Sequence, residues 1–108
     1  MGVIQANPEA IEKIREVLDP LPGRSEIYLF GSRALGTARS NSDFDLLVIS
    51  KDELSLRERA RLSSTYRLLL AHQGIDADII VKSKNDLAEY RFRVGSVVKE
   101  ALDHGIAL

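Results

Sequence analysis

The sequence predicts an α+β domain, a small mixed β-sheet with helices packed mainly on one face. Three observations lead there. Apolar runs at residues 25–30, 43–50 and 76–81 have the length and the β-branched or aromatic content of strands. Between them lie stretches whose apolar residues recur at helical spacing. Three strands are too few for a doubly wound dinucleotide-binding sheet, and the length of 108 residues predicts one domain over residues 1–108.

The elements follow in order. Asn7-Pro8 opens the first helix, with Asn as N-cap and Pro at the first helical position. Ile11, Ile14 and Leu18 form its apolar face, and Pro20 to Gly23 stop it. The first strand runs into Gly31-Ser32, where Ser32 is expected to cap a short helix over Arg33 to Thr37. A polar turn from Arg39 to Ser42 leads into the second strand. Residues 53–73 form a long helix with Leu62, Tyr66 and either Leu69 or Leu70 on the buried side, closed by Gly74. After the third strand, Ser83 or Asn85 caps a further helical stretch, and Val97, Val98, Ala101 and Leu102 mark the face of a last helix. His104-Gly105 ends that helix, and residues 106–108 supply a short edge strand.

Composition narrows the function classes. Hydrophobic residues make up 44% of the chain, enough for a core without metal or disulfide staples. The absence of cysteine excludes disulfide frameworks, thiolate metal sites and cysteine nucleophiles, and it suits a reducing cytosol. With 15 basic and 16 acidic side chains the net charge is −1, which argues against a protein whose main task is gripping nucleic acid. The first residues contain no long apolar segment, and no run approaches the ~20 apolar residues of a membrane span. A cytoplasmic domain away from the membrane is the expectation.

Asp43 and Asp45 start the second strand two residues apart, so they project to one face with Cα atoms ~6.5–7 Å apart. Like charges at the mouth of a buried strand repel unless a cation sits between them, and Mg²⁺ favours carboxylates plus phosphate oxygens. The pair alone is equally consistent with turn capping. The third strand repeats the pattern with Asp76 and Asp78 ahead of Ile79-Ile80-Val81. If the strands are neighbours, a third carboxylate joins the first two, as a two-metal clamp requires. Asp78 is preferred because it directly precedes the apolar run, whereas Asp76 reads as a turn residue. Gly31-Ser32 adds a turn where phosphate can approach the backbone, with a hydroxyl donor and the Arg33 cation beside it.

These residues resemble a known signature. Gly31-Ser32-Arg33-Ala34-Leu35-Gly36, followed by Ser42-Asp43-Phe44-Asp45-Leu46, is similar to the Gly-Ser turn and Ser-Asp-x-Asp-Leu strand of the DNA polymerase beta-like nucleotidyltransferase superfamily. The small size resembles its minimal nucleotidyltransferase (MNT) branch. The resemblance implies the nucleotidyltransferase fold and transfer of a nucleotidyl group, AMP from ATP being the expected case. It implies that Asp43, Asp45 and Asp78 hold two Mg²⁺ ions, and that Asp78 also assists deprotonation of the acceptor hydroxyl. Gly31, Ser32 and Arg33 would bind the nucleotide. Many members carry a second arginine where this chain has Leu35, which departs from the full phosphate-contacting set.

Members of that branch are often paired with a HEPN-domain toxin, and some transfer AMP to a tyrosine of it. The resemblance therefore implies an antitoxin with a HEPN partner, acting in a homo- or hetero-oligomer. The residues carry a catalytic sheet and little that reads as an acceptor-binding domain, so a partner is expected to present the hydroxyl. Two other readings stand beside this one. A non-catalytic antitoxin would neutralise its partner by contact alone, and a small-molecule nucleotidyltransferase would modify a compound such as an aminoglycoside.

Several residues invite plainer readings. His72 and His104 sit near helix ends, where a cation suits the dipole. Ser63-Ser64-Thr65 reads as a close helix crossing or a solvated face, and Lys82, Lys84, Arg91 and Arg93 as a solvated basic rim. Tyr28 and Phe30 read as sheet core.

Overall fold

The computed structural model describes residues 8–19, 26–35, 43–90 and 96–108. Asn7, the Pro20–Gly23 stop, the Arg39–Ser42 turn, Arg91 and Arg93 lie outside the described residues. The elements are α1 (Pro8–Leu18), β1 (Glu26–Phe30), α2 (Ser32–Leu35), β2 (Phe44–Ser50), α3 (Leu56–His72), β3 (Ala77–Ser83), α4 (Lys84–Tyr90), α5 (Val97–His104) and β4 (Ile106–Ala107).

The four strands form one sheet in the order β3-β2-β1-β4. β1 is antiparallel to both β2 and β4, whereas β2 and β3 run parallel. A parallel neighbour needs a long crossover, and the 17 residues of α3 supply it. β2 is therefore an interior strand with helices above and below, which explains why Leu46, Leu47, Val48 and Ile49 are all buried in succession. Each such side chain contributes about 1.5–3 kcal/mol when fully buried.

Alternation along β2 divides the core. Phe44, Leu46 and Val48 pack with Ile14 and Leu18 of α1, Leu70 of α3 and Ile79 and Val81 of β3. Leu47 and Ile49 point the other way, to Phe30, Val98 and Ala101 of α5, with Leu87 of α4 alongside. The two long helices thus cover one face, as expected. The shorter α4 and α5 cover part of the opposite face, and that second layer creates the wall of the site described below.

The end of α3 follows its sequence signals closely. Ser55 and Glu58 form a capping box, the Glu58 N–H donating to Ser55 Oγ at 3.1 Å and the Ser55 N–H donating to Glu58 Oε1 at 3.0 Å. This moves the start from the expected residue 53 to Leu56. At the other end Gly74 has φ +79°, its N–H bonds the Ala71 carbonyl and the Ile75 N–H bonds the Leu70 carbonyl, both at 2.9 Å. Leu70 is fully buried and Leu69 is exposed, which settles the choice between them.

Four boundaries differ from expectation. Ser32 is the first residue of α2 and not its cap; the Gly31 carbonyl accepts from Ala34 and Leu35 at 3.1 and 3.0 Å. Asp43 and Asp76 precede their strands, the Phe44 N–H donating to the Asp76 carbonyl at 2.9 Å. β3 runs on to Ser83 instead of ending at residue 81; Ser83, one of the two expected caps, directly precedes α4, its N–H and hydroxyl both donating to Asp86. Val97 is exposed, so the buried face of α5 rests on Val98 and Ala101.

Candidate active site

The parallel register places Asp45 directly opposite Asp78. Adjacent strands lie about 4.8 Å apart, so these two carboxylates leave the sheet side by side on one face. Both belong to the α5 face, because the residues before and after each of them pack on the α1 and α3 side. Asp43, two residues before Asp45, is exposed just ahead of the strand.

Gly31 closes the arrangement from β1. It follows Phe30, the register partner of Asp45, and its φ is +73°. That conformation is strained for any residue with a side chain. A β-carbon at Gly31 would also collide with the Asp45 carboxylate. The Gly-Ser turn and the Asp45 carboxylate are therefore in mutual contact, although thirteen positions (residues 32–44) separate them in the chain.

A cleft of about 340 Å³ opens at this place, lined by Gly31, Asp45 and Asp78 with Ser63 and Arg67 of α3 and Glu100 of α5. A smaller one of about 170 Å³ lies beyond it, lined by Asp43, Asp76 and Asp78, with Arg67 again. The Asp45 carboxyl titrates above its ordinary range, chiefly through burial and then through the negative charges of Asp78, Asp43 and Glu100. Arg67 gives Asp78 only a loose ion pair at 3.8 Å, with both side chains more than half exposed.

The donor set suits a hard divalent cation in kind, since oxygen ligands and uncompensated negative charge converge on Asp45. As placed, no three of the described carboxylate and imidazole groups are drawn together into a ready cage. Asp43 and Asp78 are exposed at the mouth, whereas Asp45 is half-buried against Gly31.

Of the residues singled out from the sequence, Asp45, Asp78 and Gly31 share the larger cleft, and Asp43 shares the smaller one with Asp78. Ser32 lies one residue from the cleft wall without lining it. Arg33 is placed differently from expectation. Its guanidinium lies 4.4 Å from the centroid of the Phe44 ring, and Phe44 packs on the sheet face opposite to Asp45. Planar guanidinium on an aromatic face is a favourable stack, which accounts for that choice. Leu35, where a second arginine is common, is exposed.

Ser63, Arg67 and Glu100 were not legible as site residues. The Ser63 hydroxyl donates to the Ile79 carbonyl at 2.6 Å, on the outer edge of β3. The contact is between helix and strand, neither the helix crossing nor the solvated face expected for Ser63, and it ties α3 to the strand that carries Asp78. The only sequence signal was the four-residue spacing of Ser63, Arg67 and Ala71, which puts them on one line of the helix.

The comparisons with known proteins agree with this geometry. No curated protein matches the chain. Among solved structures, a toxin–antitoxin crystallised with AMP-PNP superposes with a TM-score of 0.59 at 26% identity, covering 94% of this chain and 72% of the other. The toxin–antitoxin MntA–HpeT with a tyrosine-to-alanine substitution gives 0.55 at 28% identity, over 96% and 72%. A Shewanella oneidensis complex of a tri-AMPylated HEPN toxin with an MNT antitoxin gives 0.53 at 24% identity, over 92% and 68%, a likeness of fold. The profile of the nucleotidyltransferase domain matches residues 11–108, so the whole sheet, the Gly-Ser turn and the three strand-end aspartates lie within it, and the chain belongs to the nucleotidyltransferase domain family.

Proposed function

We propose that the chain moves AMP from ATP onto a hydroxyl of a protein partner, with Asp43, Asp45 and Asp78 as the carboxylates that hold Mg²⁺. The observation that carries this reading is the register of Asp45 against Asp78 beside the Gly31 turn. Divalent cations bound at these carboxylates would neutralise triphosphate charge and lower the pKa of the attacking hydroxyl.

The chain's own residues have distinct parts. Gly31 exposes backbone to the triphosphate without a side chain in the way, and Ser32 adds a hydroxyl donor beside it. Asp78, at the open mouth, accepts the proton of the acceptor hydroxyl. The acceptor oxygen then bonds to the α-phosphorus, the bond between the α-phosphorus and its bridging oxygen breaks, and pyrophosphate leaves. Burial of Asp45 against Gly31 fixes one carboxylate while Asp43 and Asp78 adjust around it.

The partner proposed is a HEPN-type toxin, with the chain as its antitoxin. Its support is the toxin–antitoxin neighbours above 25% identity, one of them holding AMP-PNP. The neighbour of the same fold that holds a tri-AMPylated toxin supplies the acceptor chemistry to test first. The test combines purified protein, Mg²⁺, α-labelled ATP and a HEPN protein from the same host. Label on the partner that disappears with Asp45→Asn supports transfer. Full neutralisation of the partner by an Asp43→Ala, Asp45→Ala variant, with no label from wild type, would replace it with neutralisation by contact.

A further inference from the structure

We infer that Arg67 is a substrate-contacting residue of this site: it holds Asp78 while the cation is absent and turns onto the phosphates of the nucleotide when the cation takes Asp78. The inference rests on the nucleotidyl-transfer reading and adds to it a residue on α3, outside every motif that suggested that reading.

Four observations lead to it. Arg67 lines both clefts, as Asp78 does, so the pair stands on the ridge between them. Arg67 is the cationic side chain among the described lining of either cleft, where every other charged group is a carboxylate: Asp45, Asp78 and Glu100 in one, Asp43, Asp76 and Asp78 in the other. Arg33, the arginine of the Gly-Ser turn, lies over Phe44 on the far face. Finally, Ser63 stands one helical turn before Arg67 and is bonded to the carbonyl of Ile79, the residue after Asp78. That bond fixes the register of α3 against β3, so the Arg67 stem starts beside Asp78 for a structural reason.

The physical case follows from charge. A nucleoside triphosphate brings about four negative charges into a cleft already lined by three carboxylates. Bound cations offset part of this, and a guanidinium offsets more by donating two parallel N–H bonds to phosphate oxygens. The present pairing with Asp78 does not hold the side chain back. At 3.8 Å and with exposures of 64% and 55%, it is a loose solvent-exposed contact that is easily surrendered. A cation held at Asp78 would repel the guanidinium and free it for phosphate oxygens in the same cleft.

The experiment is calorimetric and uses the full chain with Arg67→Ala and Arg67→Lys variants, checked for unchanged thermal unfolding. Mn²⁺ is titrated first without nucleotide, then AMP-PNP is titrated in saturating Mn²⁺. The inference expects Arg67→Ala to bind Mn²⁺ as tightly as wild type or up to about threefold more tightly, because the competitor for Asp78 is gone. It expects AMP-PNP binding to weaken by roughly tenfold or more, with Arg67→Lys in between. Unchanged AMP-PNP affinity in Arg67→Ala overturns the inference and leaves the transfer reading standing. Weakened Mn²⁺ binding overturns it too, since Arg67 would then support the carboxylates and not compete for them. Failure of wild type to bind AMP-PNP with Mn²⁺ sinks the transfer reading and this inference with it.

Discussion

The Asp45 carboxylate fills the space that a β-carbon on Gly31 would need. Gly31 also has φ +73°, so a side chain there is strained by the backbone and in addition pushes the Asp45 carboxylate aside. Gly31→Ala is expected to destabilise the fold by about 1–3 kcal/mol and to displace Asp45. Urea unfolding gives the first quantity. Transfer activity, assayed where the variant is still folded, should fall further than the stability loss explains. Equal stability and activity in Gly31→Ala would show that the turn relaxes freely.

Asp45 is held above its ordinary pKa by burial and by neighbouring carboxylates, so its ionised form costs folding free energy. In the unfolded chain it ionises near 3.8, and in the folded protein it ionises later. Between those two values the folded state binds more protons, so stability falls as pH rises through the window and then levels off. Asp45→Asn is therefore expected to raise the stability of the cation-free protein slightly, solvent screening keeping the gain small, and, on the proposed metal role, to abolish the response to Mg²⁺. Thermal melts with and without saturating Mg²⁺ test both halves. A variant less stable than wild type without Mg²⁺ contradicts the charge argument.

At the other end of the parallel strands, Asp86 ties three elements together. It accepts from the N–H and hydroxyl of Ser83 at 3.0 and 2.9 Å and pairs with Arg59 of α3 at 2.6 Å. Burial alone would raise its pKa, but the two Ser83 hydrogen bonds, Arg59 and Lys82 together lower it. The sign is then the reverse of Asp45. Its contribution is complete above the unfolded value of 3.8 and is lost as pH falls through the lower folded value. Asp86→Asn should cost about 1–2 kcal/mol at neutral pH and flatten the acid limb of the stability profile. An acid limb identical to wild type would rule Asp86 out as its source.

Ser63→Ala removes the donor to the Ile79 carbonyl on the edge of β3. A loss of about 0.5–1.5 kcal/mol is expected, together with faster amide exchange at the start of β3. Exchange unchanged at Ile79 and Ile80 would mean that α3 is held by packing alone.

The sheet was legible because burial writes itself into strands. Leu46 to Ile49 are buried in succession, and Ile79 and Val81 are buried on either side of a half-buried Ile80, short, partly β-branched runs that suit strands better than helices. The two chain terminations of α3 were present as the Ser55–Glu58 box and Gly74, of which only the second was read. Asp45 and Asp78 stood out because carboxylates interrupt apolar runs. The position of Arg33 was not legible because its stacking partner Phe44 is eleven residues away in the chain. Arg67 and Glu100 carried no local anomaly, each being an ordinary charged residue on a helix, and Ser63 stood out only as part of the small polar run Ser63-Ser64-Thr65.

The sequence by itself determined the order of elements, the Gly31 turn and the aspartates that head the second and third strands, since each follows from the chemistry of residues adjacent in the chain. Tertiary structure alone decided that Asp45 faces Asp78, that α5 brings Glu100 to them, and that α3 brings Arg67. Those facts depend on which strands pair, in what register and with which helix on which face, and such choices are made by packing across the sheet.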